Sequence, residues 1–263
     1  MDMVYFYYML LGAIAGFFAG LLGVGGGLVI VPVLAMIFTT QGFGDSVIMH
    51  LAVGTSLATI VFTSISSVWA HHRHGAVRWH EFMRLAPGIV TGAWLGATVA
   101  NMLPTTMLRT VFGLFELYVA IQMTLNIKPK PHRRLPGHPG MFGVGNVIGG
   151  ISAIVGIGGG TLTVPFLVWC NVSIREAVAT SAACGLPIAL SGSMGFMISG
   201  WNEHDLPFYS IGYLHLPALI GIVAASVLVA PLGAKLAHWL PAQRLKQTFA
   251  VVLYILAAYM LLG

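Results

Sequence analysis

Charge is what this chain most lacks. Only 7% of its 263 residues are Asp, Glu, Lys or Arg, against 57% hydrophobic residues. A soluble domain of this size carries roughly 25% charge, so a water-soluble globular fold is excluded. Cysteine is scarce too. The two present, Cys170 and Cys184, both lie in apolar sequence and supply neither a disulfide framework nor a zinc site. The histidine cluster HHRHG, with His71, His72 and His74, has no cysteine or acid at ligand spacing, so no metal and no cofactor are expected. No cleavable leader is expected either. The start MDMVYFYYMLLGAIAGFFAG has an acid and no base ahead of its apolar run, so the first segment is expected to stay. The net charge of +5 fits loops facing anionic lipid better than nucleic acid in so apolar a chain.

Long apolar runs are what the chain has instead, and they predict an all-α polytopic membrane protein. An apolar stretch at about 4–38 is interrupted by GVGGG, and spans follow at about 46–70, 84–102 and 105–127. The basic, proline-rich segment KPKPHRRLPGHPG at 128–140 is expected to be neither helix nor membrane. After it come a second interrupted stretch at about 141–170 and spans near 176–199, 212–234 and 242–262. The expected organisation is a first membrane repeat at 1–127, a cytoplasmic basic linker at 128–140 and a second membrane repeat at 141–263.

Self-comparison supports the duplication. Residues 12–34 and 145–167 are identical at nine of 23 positions, and Gly23, Gly25, Gly26, Gly27 and Pro32 are matched by Gly156, Gly158, Gly159, Gly160 and Pro165. AVGTS at 52–56 likewise matches AVATS at 177–181. Charge then gives the orientation. Four simple spans per half would divide the 12 basic residues seven to five. If the chain instead turns back at each glycine break, the halves are inverted and eleven bases fall on one side, with only Arg109 on the other. That distribution satisfies the positive-inside rule. The expected fold is therefore two inverted repeats, each a broken or re-entrant helix pair plus three spans, with both termini outside.

A broken helix at membrane depth leaves N–H and C=O groups unpaired, which is tolerated only against protein or a water-filled cavity. Paired interruptions in two inverted halves point to a transport site near the midplane. A new helix starts at about residue 28 and again at about 161, and the free amides and positive dipole end at each start attract anions. Glycine lets a ligand approach the backbone closely. Gly25, Gly26, Gly27, Gly158, Gly159 and Gly160 are thus candidate substrate-binding residues, with Thr161 adding a hydroxyl where the first half has Leu28. Gly12, Gly16 and Gly20, and Gly88, Gly92 and Gly96, are spaced by four and predict helix packing stripes instead.

GLLGVGGGLVIVPVL and AIVGIGGGTLTVPFL, each followed by a Thr-Ser-bearing helix, resemble the breaks of the sulfite exporter family that includes the TauE and SafE proteins. The resemblance covers both halves. It implies a bacterial inner-membrane carrier of small sulfur-containing anions such as sulfite or organosulfonates, and it does not fix substrate or direction.

Further candidates lie outside the breaks. Thr55, Ser56, Thr180 and Ser181 begin helical segments at matched positions and could donate to sulfonate oxygens or bond to neighbouring helices. Glu116, an acid near the middle of a span, is the candidate for proton coupling, with a structural bond as the competing role. An intramembrane protease would need Ser191 or Ser193 beside a histidine such as His215; an anion channel would share the glycine helix ends. The expectation is a secondary transporter rather than an enzyme, with a small anion and the bilayer as partners. The oligomeric state is left open between monomer and homo-oligomer.

Overall fold

A computed structural model describes residues 2–22, 26–125, 133–237 and 242–263. Among them are ten helices, five in each half of the chain. The first half holds α1 (Asp2–Leu22), α2 (Gly27–Thr40), α3 (Ile48–Arg73), α4 (Trp79–Met102) and α5 (Thr105–Thr124). The second holds α6 (His138–Val155), α7 (Gly160–Trp169), α8 (Ile174–Ser199), α9 (Leu216–Ala237) and α10 (Ala242–Leu262). Four of the helices contain stretches long and apolar enough to cross a membrane: Met3–Gly20, Ile48–Arg73, Ile174–Ser199 and Leu245–Leu262. The fold is all-α and membrane-embedded, as the composition requires.

One expectation is corrected. Helix α6 begins at His138, inside the segment expected to be free of helix. Pro139 sits in its first turn, where the missing N–H would have had no partner in any case. A short antiparallel hairpin, β1 (Ser210–Ile211) with β2 (Leu214–His215), also stands ahead of α9 where no strand was expected.

The second glycine break is built from two left-handed residues. Gly156 ends α6 at φ 76°, and the N–H of Ile157 bonds back to the Ser152 carbonyl at 2.9 Å. Gly159 starts α7 at φ 74°. Only glycine takes such angles without a Cβ penalty. The chain then folds back: the Arg133 N–H donates to the Trp169 carbonyl at 3.2 Å, and Asn171 Nδ2 donates to the Arg133 carbonyl at 2.8 Å. The segment leading into α6 and the end of α7 are therefore side by side. In the first half, Gln41 Nε2 donates to the Tyr8 hydroxyl at 2.9 Å, joining the end of α2 to the early part of α1. Residues 23–25 lie outside the described residues.

The halves interlock. Helices α3 and α8 cross the centre antiparallel: Gly54 lies by Phe196, Leu57 by Gly192 and Ser64 by Gly185. Around them α1 packs along α9, and α4 along α6, each pair running in one direction. The glycine stripes make these close contacts possible. A Cβ on Gly12 would sit 2.8 Å from Ile222 Cα, and one on Gly16 would sit 2.6 Å from Ser226 Cα. Likewise a Cβ on Gly88 would sit 2.9 Å from the Asn146 nitrogen, and one on Gly96 would sit 2.9 Å from Gly150 Cα. Contacts of this type hold helices together where lipid removes the hydrophobic drive. Helix α8 runs alongside α4, with Ser191 Oγ donating to the Val90 carbonyl at 2.7 Å and Gly195 against Ala97. Helix α5 lies antiparallel to α10, with Gly113 against Met260 and Leu261 and Arg109 donating to the Tyr259 carbonyl at 3.0 Å.

Candidate functional site

The two breaks touch. Gly26 and Gly27 are buried at the head of α2. Gly27 lies against the Gly156 carbonyl, and a Cβ on it would fall 3.1 Å from Ile157 Cα. Any side chain there would push the breaks apart, which is the structural reason for glycine. Gly25 lies outside the described residues.

Helix α2 begins at Gly27 with the N–H groups of Val29 and Ile30 bonded to the Gly26 carbonyl. At α7 the amides of Leu162 and Thr163 bond to the Gly159 carbonyl, at 3.1 and 2.8 Å. The amides of Gly158, Gly159, Gly160 and Thr161 make no backbone hydrogen bond among the described residues. A helix head with free donors is thus placed inside the protein, a site that favours negative charge.

Hydroxyls separate into two groups. Thr55 Oγ1 accepts the His215 N–H at 3.0 Å, Thr180 Oγ1 accepts the Arg78 N–H at 3.0 Å, and Ser56 Oγ donates to the Gly156 carbonyl at 2.9 Å. These three tie the central helices to the heads of α9 and α4 and to the break. Ser181, Thr161, Ser152 and Thr163 are also buried, and their hydroxyls have no hydrogen-bond partner among the described residues. Sequence reasoning named the first two and missed Ser152 and Thr163. Both missed groups border Gly159: a Cβ there would lie 3.4 Å from Thr163 Oγ1 and 3.6 Å from Ser152 Oγ. Ser181 lies one turn before Gly185, on which a Cβ would fall 3.0 Å from the Gly158 carbonyl oxygen, so both residues share the α8 face turned to the break.

Cationic side chains work at helix ends. Arg78 pairs with Glu81 at 2.9 Å, Arg84 donates to the Pro136 carbonyl at 3.0 Å, and Arg73 lies over Trp69. The donors bordering the second break are therefore neutral amides and hydroxyls. A cavity of about 320 Å³ between α6 and α7 is lined by Val144, Val147, Ile151, Leu162 and Phe166 among others, and its apolar wall suits a lipid tail rather than an anion.

Glu116 stands apart from the breaks. It is fully buried on α5, one turn from Gly113 and so on the face packed against α10, and neither carboxylate oxygen has a partner among the described residues. Ser191 and Ser193 donate to the carbonyls of Val90 and Leu190, while His215 is enclosed by the rings of Tyr8, Phe38 and Phe43. These serines and this histidine therefore have other partners.

Comparison with known proteins agrees with this architecture. Residues 8–260 match the family described as Sulfite exporter TauE/SafE. A probable membrane transporter protein of Haemophilus influenzae is 39% identical over 259 residues, covering 97% of each chain. The probable membrane transporter protein YunE of Bacillus subtilis is 30% identical, over 73% of this chain and 78% of its own. Another probable membrane transporter protein, from Methanocaldococcus jannaschii, is 26% identical over 97% of this chain and 94% of its own. No solved structure matches. With the family matched over nearly the whole chain and several apolar helices in the fold, the protein is a multi-pass membrane transport protein and belongs to the sulfite exporter TauE/SafE family.

Proposed function

We propose that the chain is a secondary transporter of small sulfur-containing anions, sulfite or organosulfonates, working as an exporter across the bacterial inner membrane. The anion rests near the midplane where the breaks meet, against the amides of Gly25, Gly26 and Gly27 and of Gly158, Gly159 and Gly160, with Thr161 and Ser181 beside it. Thr55, Ser56 and Thr180 hold the surrounding frame through the bonds described above. The observation that carries this reading is the contact of Gly27 with Gly156, next to unbonded amides at the head of α7. Free donors inside a membrane protein are costly unless a ligand or water meets them.

Helix directions support two inverted repeats, since α1, α3 and α9 run one way and α4, α6 and α8 the other. In that arrangement residues 1–127 and 141–263 are the repeats, the linker at 128–140 is cytoplasmic and both termini are outside, with eleven of 12 bases inside. Glu116, buried and unpartnered, is the coupling group for protons.

Counterflow in liposomes tests the carrier. Vesicles containing the purified protein and loaded with unlabelled sulfite should accumulate labelled sulfite transiently, and the uptake should saturate. Flux that neither saturates nor responds to internal sulfite would make the protein a channel.

A further inference from the structure

We propose that recognition is one-sided: the neutral, unpartnered hydroxyls of Ser152, Thr161 and Thr163 at the second break bind a monoanionic oxyanion of the sulfonate type, while the matched positions of the first half are hydrocarbon. The inference rests on the anion-transport reading and specifies which residues and which charge state that reading involves.

The chain supplies its own control. Membrane threonines usually bond back to their own helix, and here Thr39, Thr91, Thr98, Thr110 and Thr124 all do so, to carbonyls three or four residues earlier. Ser152, Thr161 and Thr163 do not. Ser152 and Thr163 are fully buried and Thr161 is 9% exposed, yet none of their oxygens has a partner among the described residues. Buried polar groups are normally satisfied, so three orphans at one helix head require something to satisfy them. Two of them flank Gly159, whose own amide is free. The end of the Ile188 side chain fills the position a Cβ would take at Gly159, so a ligand oxygen reaching the two hydroxyls must displace it.

The first half has no such group. By the register of the matched breaks, Ser152, Thr161 and Thr163 correspond to Ala19, Leu28 and Ile30. Leu28 and Ile30 are buried hydrocarbon, and the side chain of Ile30 instead closes over Gly26. The matched positions of the first half therefore offer no hydroxyl.

Neutral donors also select charge. No cationic side chain joins the cluster among the contacts described, so nothing offsets a second negative charge. The desolvation cost of an ion grows as the square of its charge, about four times as large for a dianion as for a monoanion of the same size. The Ser152 and Thr163 hydroxyls beside a helix head suit the oxygens of a sulfonate or hydrogensulfite, and a dianion such as sulfate is disfavoured.

The test uses the purified full-length protein in lipid nanodiscs, titrated by calorimetry with methanesulfonate, sulfite and sulfate. Ser152→Ala, Thr161→Val and Thr163→Val are compared with Thr98→Val, whose hydroxyl is bonded within its own helix. Methanesulfonate should bind wild type and Thr98→Val alike and sulfate at least tenfold less tightly. Each of the three cluster variants should lose about tenfold in methanesulfonate affinity, equivalent to about 1.4 kcal/mol. Their melting temperatures without ligand should be unchanged or raised, because an unpaired buried hydroxyl has been removed. Cluster variants that bind methanesulfonate like wild type, or that melt lower with affinity intact, would overturn the hydroxyl site while leaving an anion site elsewhere. Sulfate binding as tight as methanesulfonate would overturn the charge selection. Failure of wild type to bind any of the three anions would overturn the transport reading itself.

Discussion

The Thr180 hydroxyl accepts the backbone N–H of Arg78 at 3.0 Å, and Thr55, its match in the other half, accepts that of His215 at the same distance. Each threonine thereby satisfies an amide at the head of a helix from the opposite half, α4 in one case and α9 in the other. Thr55→Val and Thr180→Val keep the shape and strand that amide. Each should lower stability by about 1–3 kcal/mol, measured as a drop in thermal midpoint in detergent. Anion affinity should change little. A selective loss of affinity at normal stability would move these hydroxyls into the binding site.

Glycine substitutions should sort by what a Cβ would meet. Gly92→Ala drives a methyl into the Asn146 backbone, whereas Gly143→Ala meets nothing within 4 Å. The first should cut folded yield sharply. The second should be neutral or stabilising by up to about 1 kcal/mol, since alanine is the better helix former. Monodispersity on size-exclusion chromatography reports both, and equal behaviour of the two variants would disprove the close α4–α6 contact.

Glu116→Gln keeps the shape of the carboxyl and removes its titration. Sulfite flux driven by a pH gradient in liposomes should disappear in this variant, with binding and melting temperature preserved. If the pH dependence survives, Glu116 is a structural residue of the α5–α10 contact.

Topology is open to cysteine labelling in a background free of Cys170 and Cys184. A cysteine at Leu135 should react only with reagent on the cytoplasmic side, and one at Gly263 only from outside. Labelling of both from one side would refute the inverted arrangement.

Much of this architecture was legible in the chain because glycine and proline report backbone demands directly. The break at Gly156 to Gly160 is where the sequence places it, and the left-handed angles of Gly156 and Gly159 explain why glycine is favoured there. The stripes at Gly12, Gly16, Gly88, Gly92 and Gly96 likewise form helix contacts. Hydroxyls were not legible in the same way. Thr55 and Thr161 are the same residue type, yet one is bonded to a distant amide and the other has no partner among the described residues, and that depends on neighbours far along the chain. Ser152 and Thr163 did leave a trace, as the polar residues that replace Ala19 and Ile30 in an otherwise matched pair of segments. The small hairpin at Ser210–His215 left none, because two-residue strands carry no periodicity.

Helix α7 has ten residues and is about 15 Å long, half of a hydrocarbon core about 30 Å thick. In the arrangement proposed, its head divides the membrane's electrical drop as well as its thickness. A monoanion held there has traversed about half the field, worth about 1.1 kcal/mol for each 100 mV. Occupancy of the site would then change about sevenfold over that voltage. An exporter built on this break uses a negative interior to expel its anionic cargo, and the same voltage opposes the cargo's return.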